Sequence, residues 1–173
     1  MPVFVALLRA INVGGTGKLP MADLKALAEG LGFAEVTTYI QSGNLILRDG
    51  GDPAEIAARL DAALGDRLGR PPGVFLRQPA ELLEILDANP FRAMPASRVL
   101  VSFFRDAVPD AAFAGLVAPD GEEVVARGRE IFIHYPIGSG RSRLKLPILK
   151  EGTSRNVNTV GKLADLAFKR EMS

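Results

Sequence analysis

Three stretches of this 173-residue chain hold more Gly, Asn, Arg, Ser and Thr than a scaffold needs. The first is Arg9-Ala10-Ile11-Asn12-Val13-Gly14-Gly15, continuing through Thr16 and Gly17 to Lys18. A Gly-rich turn between strand and helix can aim backbone N–H groups at an anion, and Arg9, Asn12 and Lys18 add charge and an amide. Neither standard phosphate motif fits. With Gly17-Lys18 in register, Asn12 stands where a P-loop has its first Gly, and Leu19 where it has Ser or Thr. Pro20 stands where a dinucleotide fingerprint has its third Gly. A plain strand-to-helix connection accounts for the glycines equally well.

The second stretch is Tyr39-Ile40-Gln41-Ser42-Gly43-Asn44. A tight hairpin explains Gly43 and Asn44. Tyr39 and Gln41 share a strand parity, so a phenol and an amide could hold a base or sugar. Ser42 lacks the strand-to-helix setting of a nucleophile elbow, and His134, the one histidine, is its only possible activator. The third stretch pairs Gly138-Ser139-Gly140-Arg141-Ser142-Arg143 with Thr153-Ser154-Arg155-Asn156-Val157-Asn158-Thr159. Its amides, hydroxyls and guanidiniums suit an anion clamp. Asn156, Thr159 and Lys162 recur every three positions, as on one helical stripe, and Asn158 lies beside it. Helix capping explains the asparagines without any ligand.

Composition narrows the chemistry. The chain has no Cys, which excludes thiolate metal sites, disulfides and thiol nucleophiles, and its single His excludes multi-His metal sites. No metal and no cofactor are expected. Val3–Leu8 is apolar but too short to span a membrane, and no basic stretch precedes it, so a soluble cytoplasmic protein is the expectation. The net charge of +1 hides an uneven distribution. Residues 49–126 hold 7 Lys/Arg and 13 Asp/Glu, whereas residues 127–162 hold 8 and 2. Such a basic segment can draw phosphates; alternatively, the acidic and basic segments face each other or solvent.

Hydrophobic periodicity supplies the elements that position these residues. Val3–Leu8 reads as a strand covered on both faces. A helix follows through Met21, Leu24, Leu27, Ala28 and Leu31, then strands at 36–40 and 44–48. Asp52-Pro53 opens a second helix that Gly69 ends, and 74–77 closes the unit as a strand. This is the order of a split βαβ, or ferredoxin-like, unit. Residues 79–97 form a connector with a short helix from Pro79. The second half repeats the plan less regularly: a strand at 98–104, a short helix at 109–117, strands at 122–127 and 130–135, a partly helical basic stretch at 141–150, and a last helix from Thr153 or Ser154. The expected fold class is therefore α+β. Two tandem ferredoxin-like halves, 1–78 and 98–173, pack together, with mostly antiparallel sheets and helices on one face. Phe103, Phe104 and Phe132 read as core, with a base-stacking platform as the alternative.

RAINVGG at 9–15, TYIQSGN at 38–44, Asn89-Pro90-Phe91, Tyr135-Pro136 through Arg141-Ser142, and SRNVNTV with Lys162-Leu163 together resemble the bacterial domain of unknown function 1697 family. The likeness is collinear over nearly the whole chain. One departure is Val157, where that family typically has Trp between the two asparagines. The resemblance implies the same duplicated α+β architecture and no particular activity.

Three functional readings follow. The leading one is binding of a phosphate-bearing small molecule or single-stranded nucleic acid. In that reading Arg9, Asn12, Gly14, Gly15, Lys18, Tyr39, Gln41, Ser42 and Asn44 meet Arg141, Ser142, Arg143, Arg155, Asn156, Asn158 and Lys162. The second is an enzyme on an anionic metabolite, with His134, Tyr39 or Ser42 moving a proton. The third is an interaction module that docks through its acidic middle.

Overall fold

The computed structural model describes residues 1–9, 19–40 and 43–173, and these form a mixed α+β protein with two four-stranded antiparallel sheets and four helices. The chain divides into two compact units. One comprises Met1–Glu81 with Leu163–Ser173, and the other Leu82–Lys162. The boundary falls inside what the sequence presents as a connector, and the last eleven residues group with the first half of the chain.

In the first unit β1 (Val3–Leu8) is a central strand with all six residues buried, as its unbroken apolar run requires. α1 (Met21–Gly30) follows, burying Leu24 and Ala28, and Gly32 (φ 94°) supplies the left-handed turn after it. β2 (Ala34–Tyr39) and β3 (Asn44–Arg48) form the hairpin. α2 (Pro53–Leu68) begins where Asp52 accepts a hydrogen bond from the Ala54 N–H (3.1 Å), and ends at the left-handed Gly69. Its Ile56, Leu60 and Leu64 lie four apart and are buried. β4 (Val74–Arg77) completes the sheet, ordered β2-β3-β1-β4. Phe4, Ala6, Leu8, Leu45, Leu47 and Leu76 join α1 and α2 in one core. Val3, Val5, Leu7, Ile46, Phe75 and Arg77, on the opposite face, are buried too.

The second unit takes up α3 (Pro79–Asp87) partway along, then β5 (Val99–Phe103), β6 (Glu123–Arg127), β7 (Glu130–His134), β8 (Thr153–Asn156) and the start of α4 (Val157–Met172). Its sheet runs β6-β7-β5-β8, again antiparallel throughout. Counted within each unit, the strands therefore stand in the same order, 2-3-1-4.

Three elements of this half differ from expectation. The helix expected at 109–117 is a 3-10 turn, Asp110–Phe113, which ends where Ala114 turns extended (ψ 131°). The basic stretch at 141–150 holds no α-helix; 3-10 turns at Ser139–Arg141 and Pro147–Glu151 flank an extended segment in which Lys145 bridges Val117. Pro147 can open such a turn but cannot donate within a helix. The last helix starts at Val157, not Thr153 or Ser154, because 153–156 pair with β5 as a strand. Phe103, Phe104 and Phe132 are buried, which removes the stacking-platform alternative.

Candidate functional site

In the first unit, register brings Arg9 and the described residues of the 39–44 stretch to one end of the sheet. Leu8 N–H donates to the Gly43 carbonyl (2.9 Å) and Arg9 N–H to the Gly73 carbonyl (3.0 Å). Arg9 therefore stands at the same end of the sheet as Gly43 and Asn44. Asn44 is fully buried, and its Nδ2 donates to the Tyr39 carbonyl (2.9 Å), pinning the turn from inside. Ile40, 47% exposed, sits at φ 51°, a left-handed conformation that costs a β-branched residue about 1–2 kcal/mol. Arg9 and Tyr39 are half-buried. Asn12, Gly14, Gly15, Lys18, Gln41 and Ser42 lie outside the described residues.

In the second unit, the end of the sheet where β5 begins gathers the remaining stretches. Tyr135 N–H donates to the Arg98 carbonyl (2.8 Å), and Asn156 pairs with Leu100 two residues further on. The 136–143 loop that follows is held by an acidic turn. Asp120 accepts from the Arg143 backbone N–H (3.0 Å) and from its Nη2 (2.8 Å). Glu122 accepts from the Ser142 hydroxyl and from Asp120 N–H (2.8 Å). The Arg143 guanidinium and backbone N–H hold the Asp120 carboxyl below the usual carboxylate range. Glu122 is lowered as well: burial works against this, but the Ser142 hydroxyl and backbone amides outweigh it. Burial, then the Glu122 charge, pushes the Tyr135 phenol up.

Ser142 and Arg143 are thus engaged within the fold, and the acidic and basic segments do face each other here. Arg141, one residue away on the turn, is exposed. Gly138 turns left-handed (φ 87°) above Arg98, whose Nη1 would stand 3.0 Å from a Cβ at that position.

Arg155 is 6% exposed; its Nη1 donates to Thr153 Oγ1 (2.7 Å) and the Ser154 carbonyl (3.0 Å), and burial pushes its guanidinium down to about 10. Asn156 precedes α4 and accepts from Asn158 N–H (2.8 Å), so it caps the helix. Asn158 and Lys162 are exposed on that helix.

His134 is 8% exposed and packs on Phe91 (ring centroids 5.8 Å apart), and its buried Nδ1 has no hydrogen-bond partner among the described residues. A general base is ordinarily oriented by a third group, and among the described residues none bonds this Nδ1. Among the described residues no cluster of three or more His, Cys, Asp or Glu could hold a metal, and no helix is long and apolar enough to cross a membrane. Asp120 and Glu122 were not apparent from sequence as site residues. Their only signal is an Asp-Gly-Glu turn at the mouth of a strand, common at any hairpin entry.

A family model described as "Protein of unknown function (DUF1697)" matches residues 1–132. The chain belongs to the DUF1697 family. The matched span contains the 9–15, 38–44 and 89–91 stretches of this DUF1697 protein. No curated protein matches it. A solved structure described as "The structure of conserved bacterial protein SP0830 from Streptococcus pneumoniae" aligns with a TM-score of 0.79 at 21% identity, covering 96% of this chain and 98% of that one. At that identity the likeness speaks for the fold alone.

Proposed function

We propose that this DUF1697 protein is a tandem of two ferredoxin-like halves that binds a phosphate-bearing ligand, a nucleotide or single-stranded nucleic acid, in the cytoplasm. The shared 2-3-1-4 strand order supports the tandem. The ligand reading rests on one observation: Asp120 and Glu122 tie down Ser142 and Arg143, while Arg141 beside them stays exposed on a Gly-flanked turn. An anchored loop loses little conformational entropy on binding, so a guanidinium it presents is pre-organised for an oxyanion. Lys162, exposed in the same unit, is proposed to add charge.

The test is fluorescence titration with a labelled nucleotide and a short single-stranded oligonucleotide at several salt concentrations. Arg141→Ala should weaken binding about tenfold, the scale of one charged hydrogen bond. A steep fall of log affinity with log salt would mark the oligonucleotide as the ligand, and a shallow one the nucleotide. Failure to bind either, or indifference to Arg141→Ala, would sink the reading. Arg155 is the wrong residue for this test, since its burial makes any substitution a stability experiment.

A further inference from the structure

We infer that the open edge of β6 is a self-association surface, pairing antiparallel with β6 of a second copy of this chain. Glu123–Arg127 is an edge strand with exposed ends and a half-buried middle. The other edges are less available. β4 is wholly buried, β8 buries Thr153 and Arg155, and β2 carries a bulge whose Glu35 carbonyl is taken by Arg170.

The hydrogen-bond phase of β6 follows from its hairpin. The two-residue Gly128-Arg129 turn makes Arg127 and Glu130 a hydrogen-bonded pair, and such pairs then alternate along the ladder. Phe104 N–H donating to the Arg129 carbonyl on the opposite side of β7 agrees with this phase. Arg127, Val125 and Glu123 therefore point their main-chain groups at β7, whereas Val124 and Ala126 point theirs outward. Among the described residues, only the Arg127 guanidinium reaches one of these outward groups, the Ala126 carbonyl, at 3.3 Å.

The strand Glu-Val-Val-Ala-Arg is complementary to itself about Val125. Turned antiparallel, Val124 meets the partner's Ala126 with both outward groups in phase for hydrogen bonding. Glu123 then lies opposite the partner's Arg127, twice by symmetry. Any other register breaks either the hydrogen-bond phase or the charge match. Five residues cover far less than the roughly 1,200–2,000 Å² of a stable interface, so the pair forms at high protein concentration.

Sedimentation across a concentration series tests this. The average mass should rise from one chain toward two. Ala126→Pro, which removes an outward N–H and leaves the ladder to β7 intact, should hold the protein at one chain. Glu123→Arg and Arg127→Glu each set like charges opposite one another and should weaken association roughly tenfold. An equimolar mixture of the two should associate again, because each strand now meets its opposite sign. A single-chain mass up to about 1 mM, undiminished association in a folded Ala126→Pro, or a mixture no better than its components would each overturn the proposal. Should Ala126→Pro fail to fold, the charge-swap mixture decides alone.

Discussion

The two sheets share one strand order but are covered in different ways. The first unit roofs its sheet with α1 and α2, whose Leu24, Ala28, Ile56, Leu60 and Leu64 enter one core with the strands. The second covers the Ile131, Ile133 and Tyr135 face with Phe113, Leu144, Leu146, Ile148 and Leu149, drawn from extended segments and 3-10 turns. Irregular cover satisfies fewer backbone groups internally, so side chains must do so. Asp120, Glu122 and Ser142 take that role, and the loop they tie down is the one that carries Arg141. A helical roof is held by its apolar stripe; a loop roof is held by polar ties, and polar ties can be placed where a charge must be presented.

Substitutions separate the two kinds of cover. Leu60→Ala, at a fully buried position under the helical roof, should cost about 3–4 kcal/mol in denaturant unfolding. Gly152→Ala should cost about 3 kcal/mol, since its Cβ would collide with the Phe103 carbonyl oxygen and lie 2.8 Å from the Phe104 ring. A cost near zero would mean that β8 can withdraw from β5. Asp52→Ala, which removes the cap of α2, should cost about 1 kcal/mol.

The smallest effect is the most local. Asp120 and Glu122 both have lowered folded-state values, so their stabilisation is complete above the ordinary carboxylate range. It is lost as pH falls through the lowered values. Hydrogen exchange of the 138–144 amides should rise as pH drops from about 6 to about 2, after correction for intrinsic rates. Asp120→Asn should flatten that dependence while leaving the first unit's amides unchanged. An equal response in both units would erase the distinction between the two kinds of cover.

Much of the first unit was legible because its signals are local. Asp52-Pro53, the four-residue spacing of Ile56, Leu60 and Leu64, and Gly69 each act within a few residues, and each placed its element correctly. The second half resisted for the converse reason. Residues 153–156 look like a helix start because Asn156 does cap a helix, but they pair with β5, fifty or more residues away in the chain. Ser142 and Arg143 resembled ligand contacts, yet their partners lie some twenty residues back, at Asp120 and Glu122.

By itself the sequence determined the α+β class, the elements of the first unit, and the exclusion of thiol and multi-His chemistry, because periodicity, capping and composition need no distant partner. Tertiary structure decided which polar residues are spent on the fold and which stay exposed. Arg143, Arg155 and Arg141 are chemically identical in the sequence; one is exposed but tied to Asp120, one is buried, and one is exposed on the turn beside them. What separates them is burial and partner distance, and both arise only when remote segments meet.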